Sequence, residues 1–192
     1  MNSNSGQDLD NKSLDLSLKL LVSNNFIKSP VVLILSHSKS GALGIALNQN
    51  LGLISFDEIF KILQMPSNIV EYNGKTELFL GGSFERNRCF ILHSNDYKGD
   101  TMLDITCDIS LSSNNNILKE IARGKGPKHK MIAIGISKWK PGELETDLFN
   151  NNWVVCDPNK DLIFSEDKDK WMNIFSSNGL VPMSYIHRLG TC

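Results

Sequence analysis

The chain has 192 residues, and its 20 lysines and arginines against 21 aspartates and glutamates give a net charge of −1. A chain of this length suits one domain with a sizeable core. Because the charges balance and only four basic residues are arginine, the attraction that dominates non-specific binding to nucleic acid is missing. The composition therefore disfavours direct DNA binding.

The cysteines and apolar runs limit the class of protein further. Four cysteines are spread without a C-x-x-C pair, so zinc-ribbon and thioredoxin-like patterns are excluded and free thiols are expected. The longest apolar run, residues 31–35, is far shorter than the ~20 residues of a membrane-spanning helix. Residues 1–13 lack an apolar run, so we expect a disordered tail there instead of a signal peptide. These patterns predict a cytoplasmic protein that does not contact membranes, with one domain over residues 14–192.

The first predicted elements are strands. Residues 14–20 alternate leucine with polar residues, which is the period of a half-buried strand. Residues 30–36 are apolar and β-branched, as in a strand buried on both faces. A turn with serines and Gly41 then leads into residues 42–47, so these two runs are predicted to form a hairpin.

A helix follows the hairpin, and more strands and helices come after it. Ser55 and Glu58 have the spacing of a capping box, and Pro66 is predicted to end this first helix. Further strands are predicted over residues 76–80, 90–93, 103–111, 131–139 and 153–156, and further helices over 114–123, 143–149 and around Trp171. Gly124 is predicted to be a left-handed cap. This order indicates an α+β fold with a mixed or largely antiparallel sheet.

Two groups of residues are candidates for binding or catalysis, and each has two interpretations. Gly81 and Gly82 lie between two predicted strands, where they form either an anion-binding loop or a tight crossing of strands. His37 and His93 each end a predicted strand. They are candidates for acid-base chemistry if the strands are neighbours, or they satisfy loop backbone.

The remaining candidates have simpler structural explanations. Glu143 and Asp147 share a helix face at i, i+4 spacing, which suits either a divalent cation or the positive end of the helix dipole. Trp139 and Trp153 bracket this helix and are predicted to clamp it against the sheet. Residues 123–130 are basic and glycine-rich but lack the spacing of a P-loop. No metal or cofactor is predicted from these spacings.

Four segments together resemble the AlgH/YqgE family, also called UPF0301 or DUF179. They are PVVLILSHSKSGALGIALNQ (residues 30–49), GGSF (81–84), RCFILH (88–93) and GISKWKPGELETDLFNNNW (135–153). The resemblance covers about residues 14–190 and implies bifurcated sheets that form a pseudo-barrel with flanking helices. Departures from the family pattern are Gln49-Asn50 for Arg-Pro, Ser83 for proline and Lys138 for glycine.

The family has no agreed activity, so function is inferred from where these segments place polar groups. We expect a non-enzymatic protein that binds a protein partner or small ligand and affects transcription indirectly. The candidate surface consists of His37, Gly41, Asn48, Gly81, Gly82, Arg88, His93, Trp139, Gly142 and Glu145. A hydrolase that uses His93 or Glu145 is the alternative, and a direct DNA-binding regulator is a weaker one.

Overall fold

The computed structural model describes residues 15–24, 30–65, 74–99, 101–165 and 170–177. Within these ranges the chain forms ten strands and five helices. The strands are β1 (Leu20–Ser23), β2 (Val31–Ser38), β3 (Gly41–Ala46), β4 (Asn50–Ser55), β5 (Lys75–Leu80), β6 (Phe84–Ser94), β7 (Leu103–Thr106), β8 (Ile109–Ser112), β9 (Lys130–Trp139) and β10 (Trp153–Cys156). The helices are α1 (Phe56–Ile62), α2 (Asn115–Ala122), α3 (Glu143–Phe149), α4 (Lys160–Phe164) and α5 (Lys170–Ser177).

The strands form one sheet that branches on β9. Its main path runs β10-β1-β2-β3-β9-β6-β8-β7, and β4 and β5 form the branch. The first half of β9 pairs with β5 and β6, whereas its last residues pair with β3. Among the described pairs only β5 with β9 is parallel. The predicted α+β class with a largely antiparallel, bifurcated sheet is therefore confirmed. The described end strands, β10 and β7, do not pair with each other, so the pseudo-barrel is not closed.

Successive strand residues point to opposite faces, and this alternation separates an inner core from two outer ones. The inner core contains residues from both halves of the sheet, so the sheet folds around it, and α4 and α5 also pack there. Helices α1 and α2 cover β5, β6 and β9 from outside, and α3 covers β2 and β3. Because β2 lies between the inner core and α3, its apolar run is buried on both faces, as predicted.

The branch occurs where β9 changes the faces of its side chains. Ile134 lies in the core under α1 and α2, but Ile136, which should share that face, lies in the inner core. Between them Gly135 has φ +72°, a conformation that glycine adopts without strain. The register between β6 and β9 also shifts here. Beyond Gly135, β9 exchanges β5 for β3 as its neighbour.

Local signals predicted where α1, α2 and α3 begin. Ser55 and Glu58 form the expected capping box of α1. Asn114 caps α2 by accepting two backbone N–H groups, and Gly124 has the left-handed conformation expected after that helix. Helix α3 and strand β10 have the predicted bounds. None of the described helices is long and apolar enough to cross a membrane.

Two element predictions need correction, and two elements were not predicted. Residues 15–19 are not a strand, because Leu18 has φ +62° and the Lys19 N–H donates to the Leu16 carbonyl; the strand begins at Leu20. Residues 103–111 form a hairpin of β7 and β8, because Asp108 turns back with its N–H on the Thr106 hydroxyl. The sequence patterns did not predict β4 or α4. The predictions for residues 1–13 and for Pro66 lie outside the described residues.

Candidate functional site

Half of the predicted surface comes together beside α3, where β2 and β9 end and β3 begins. His37 pairs with Ala42 in the sheet, and Ala42 pairs with Trp139. The His37 Nε2 lies 3.1 Å from the Glu145 Oε1 on α3. Gly41 lies against the Trp139 carbonyl, and Gly142 immediately precedes α3. Five of the ten predicted residues therefore form one cluster: His37, Gly41, Trp139, Gly142 and Glu145.

Both ring nitrogens of His37 are engaged. The Leu16 N–H donates to Nδ1 at 3.3 Å, so Nδ1 has no proton and Nε2 donates to the Glu145 carboxylate. The His37 N–H donates to the Ser17 hydroxyl. Hydrogen bonds from Ser17 lower the pKa of the neighbouring Asp15 carboxyl. In this arrangement His37 links the segment before β1 to α3, and its ring offers no lone pair to a substrate.

A cleft opens on the other face of the same strand ends. Ser36 and Ser38 alternate with His37 along β2 and so point away from Glu145. The cleft has a volume of ≈ 230 Å³ and is lined by Ser36, Ser38, Ser40, Gly41, Ala42, Leu43, Phe84, Lys138 and Trp139. The Lys138 ammonium lies 4.6 Å from the centre of the Phe84 ring, within cation–π range. Hydroxyls, one cation and an aromatic ring thus surround a space suited to a small polar molecule.

Gly81 and Gly82, two of the four glycines of the predicted surface, lie at the branch of the sheet. The Gly81 N–H donates to the Ile134 carbonyl, and the Gly81 carbonyl accepts from the Ala46 N–H. A Cβ on Gly82 would lie 2.1 Å from the carbonyl carbon of Ile136. These contacts correspond to the tight strand crossing, one of the two interpretations considered for the pair. Anion binding by the same loop stays a prediction.

The remaining predicted residues lie elsewhere. Asn48 accepts the Val31 N–H at 3.0 Å beside the start of β2. Arg88 donates to Ser113 and Glu85 and lies over the Phe90 ring. Neither residue lines the cleft.

The condition under which His93 could act with His37 is not met, because β2 and β6 are not neighbours. His93 pairs with Lys130 at the start of β9, whereas His37 lies near Trp139 at its end. These β9 positions are nine residues apart, or about 30 Å along the strand. His93 is also completely buried. Its Nδ1 donates to the Ser94 carbonyl, so its Nε2 accepts from the Ser112 hydroxyl at 2.9 Å in the neutral ring.

Comparison with known proteins identifies the family. A family model described as AlgH-like (DUF179) matches residues 16–182. The chain belongs to the AlgH-like family. It is 34% identical over 184 residues to a UPF0301 protein of Rickettsia africae (strain ESF-5), covering 95% of each chain. It is 33% identical over 186 residues to a UPF0301 protein of Rickettsia typhi (strain ATCC VR-144 / Wilmington), again covering 95% of each.

Solved structures agree on the fold. The solution structure of the AlgH protein from Pseudomonas aeruginosa matches with a TM-score of 0.69 and 20% identity, covering 100% of this chain and 98% of that one. A crystal structure of a Corynebacterium diphtheriae protein matches with a TM-score of 0.64 and 16% identity, covering 95% and 91%. At these sequence identities, the two matches establish that this AlgH-like chain shares the fold of the two solved structures.

Most residues that line the cleft of this AlgH-like protein were not predicted as a site. Ser36, Ser38 and Ser40 follow the apolar run at the start of β2, and that change was a usable signal. Lys138 was noted only as a departure from the family pattern. Phe84 was noted only as part of the GGSF segment, because only the pairing of β6 with β9 brings it beside Lys138.

The carboxylates of α3 bind neighbouring protein groups. The Lys140 N–H donates to Glu143 at 2.7 Å, and the Asn152 amide donates to Asp147. No group of three potential metal ligands occurs within the ranges that the structure describes. Leu144 is buried on the sheet under α3, with Trp139 and Trp153 in edge-to-face contact beside it, as the clamp prediction required.

The described cysteines differ in burial. All three are free thiols, as predicted. Burial raises the pKa of Cys89 to about 12 and also raises the pKa of Cys156, whereas Cys107 is exposed. Because the thiolate is the nucleophile, we expect iodoacetamide at neutral pH to modify Cys107 and leave Cys89 unmodified in the folded protein. Peptide mapping with a denatured control measures this. Modification of folded Cys89 as fast as Cys107 would contradict the burial of Cys89.

Proposed function

We propose that this AlgH-like protein is a non-enzymatic binding protein of the cytoplasm that affects transcription indirectly, and that the cleft beside Lys138 is its binding site. The observation that supports binding over catalysis is the state of the two histidines. Both ring nitrogens of His37 and of His93 are held by protein partners. A general base must reach the proton that it removes, and neither ring presents an unoccupied lone pair.

The lining of the cleft suggests the chemistry of its ligand. Ser36, Ser38 and Ser40 provide hydroxyls, Lys138 provides a cation, and Phe84 provides an aromatic wall. Such a combination suits a small molecule with hydrogen-bond acceptors and a flat apolar part. At ≈ 230 Å³ the space suits a small metabolite better than a folded partner. A protein partner would have to insert a side chain into it.

The enzymatic alternative depends on Glu145, because His93 has no exposed surface. The Glu145 side chain is 44% exposed and contacts His37. A hydrolase would be favoured if the protein hydrolysed phosphate or ester substrates at a rate that depends on pH. Glu145→Gln should then abolish this turnover. The weaker DNA-binding alternative predicts a steep loss of affinity with salt, and the near-zero net charge does not support it.

A thermal-shift screen against nucleotides, coenzymes, central metabolites and divalent metals tests the proposed site. A ligand at 100 times its dissociation constant stabilises a protein by ~2.7 kcal/mol, which for this size raises the unfolding midpoint by roughly 5 to 10 °C. We expect Lys138→Met to abolish the shift because it removes the cation of the cleft. Lys140→Met is the matched control, because Lys140 is exposed nearby but does not line the cleft.

A ligand that stabilises wild type and Lys138→Met equally would place the site elsewhere. A screen without any stabilising ligand would count against a small molecule. Affinity capture with wild type and the same two variants would then test for a protein partner, whose loss only in Lys138→Met would support this surface.

A further inference from the structure

A second cavity lies at the opposite end of β9 from the cleft. It is bounded by β5, the start of β9, and helices α4 and α5, and its volume is ≈ 230 Å³. It shares no lining residue with the cleft. Its lining includes Glu77, Phe79, Lys128, Lys130, Phe164 and Lys170.

Lys170 is an unusual residue for such a position because it is charged and only 6% exposed. Burial lowers the pKa of Lys170 to about 8, and the negative charge of Glu77 partly opposes this. The ammonium therefore stays largely protonated at neutral pH. An ammonium has three donors, and the described contacts use one of them, on the Ile163 carbonyl at the end of α4.

The other basic residues of the cavity lie on a segment whose backbone is held in place. The His129 N–H donates to the Ser94 hydroxyl, and the Lys128 N–H donates to the Asp96 carboxylate. The His129 ring lies 5.8 Å from the Phe164 ring across the cavity wall. Lys130 begins β9 and is fixed by its pairing with His93. The backbone of residues 128–130 at the edge of the cavity is thus held in place by the sheet and by the turn after β6.

The charges and surfaces of the cavity fit one class of ligand. Lys128, Lys130 and Lys170 against Glu77 leave two positive charges in excess, and within the described residues none of the three lysines forms an ion pair. A phosphate monoester carries nearly two negative charges at neutral pH. Lysines bind phosphate as point charges. Phe79 and Phe164 add an aromatic wall for an apolar part.

We propose that this cavity binds a small phosphate monoester, with its phosphate between Lys170 and Lys130 and its organic part against Phe79 and Phe164. The site goes beyond the proposed function, because the cleft can bind its ligand whether or not this cavity is occupied. The basic stretch over residues 123–130 thus contributes to phosphate binding through lysines at the start of a strand. A P-loop uses the N-terminus of a helix instead.

Isothermal titration of the full chain with phenyl phosphate at neutral pH and low ionic strength tests the proposal. We expect saturable binding that Lys170→Met and Lys130→Met each weaken about tenfold, as loss of one charge-assisted hydrogen bond predicts. Met preserves the apolar stem of Lys170. Lys130 is exposed, so Lys130→Met keeps the test valid if Lys170→Met fails to fold.

Two matched controls separate a built site from general attraction. Lys125→Met removes an exposed charge from the same segment but outside the cavity, and it should leave affinity unchanged. Phenyl sulfate has the shape of phenyl phosphate with one negative charge, and it should bind about tenfold more weakly. Absent binding, equal weakening by Lys125→Met, unchanged affinity in Lys130→Met, or equal affinity for phenyl sulfate would each overturn the proposal.

Discussion

Gly82→Ala is expected to lower the free energy of unfolding by about 3 kcal/mol. The added Cβ would lie 2.1 Å from the carbonyl carbon of Ile136 and 2.2 Å from the Ser137 nitrogen. Both are backbone atoms of β9, so no side chain can rotate away to make room. The strands must separate at the branch, and hydrogen bonds of Gly81 to Ile134 and Ala46 would be strained.

Urea unfolding of wild type and variant measures this effect. Gly74→Ala is the matched control, because among the described residues its Cβ would meet only the Phe56 ring at 3.7 Å, an ordinary contact. We expect Gly74→Ala to change stability by less than about 0.5 kcal/mol. If Gly82→Ala were as stable as wild type, the backbone of β9 would have to lie farther from Gly82 than it does in the structure. Because of this cost, Gly82 substitutions are unsuitable as tests of ligand binding.

Trp171→Ala should cost about 4 kcal/mol, the usual loss when a buried tryptophan is truncated. Trp171 is 4% exposed and packs in the inner core. Its indole N–H donates to the Ser23 carbonyl of β1 at 2.7 Å. The substitution removes both the packing and this hydrogen bond, so α5 would keep only its other inner-core contacts, such as those of Ile174.

Chemical denaturation with a second variant separates the two contributions. Trp171→Phe keeps most of the apolar packing and loses the donor, so we expect it to cost about 2 kcal/mol. Met172, partly buried on the next position of α5, provides a milder comparison: Met172→Ala should cost less than either. A Trp171→Ala protein with wild-type stability would mean that α5 does not dock on β1. The cavity at Lys170 would then lose one of its walls.

The sequence alone determined the features that depend on neighbouring residues. The capping box of Ser55 and Glu58 and the end of α2 at Gly124 each involve groups within a turn of one another. Such short-range interactions can be predicted from the sequence because the interacting residues are close together in the chain. The continuous apolar run of β2 likewise predicted a strand covered on both faces.

Candidate site residues were predicted less well, because a site is made by contacts between distant segments. His37 and His93 look alike in sequence, since each ends an apolar run. One contacts Glu145 near the surface and the other is buried against Ser112. The difference depends on which strands are neighbours, and no local sequence pattern predicts the order of the strands in the sheet.

The tertiary structure alone decided three further points. It showed that Gly135 turns β9 over between Ile134 and Ile136, which creates the branch. It placed Phe84 beside Lys138 to form the cleft. It also brought Lys170 to the basic start of β9, forty residues away in the chain. The physical reason is common to all three: alternation along a strand follows from the sequence, but the partner on each edge is selected by packing of the whole sheet.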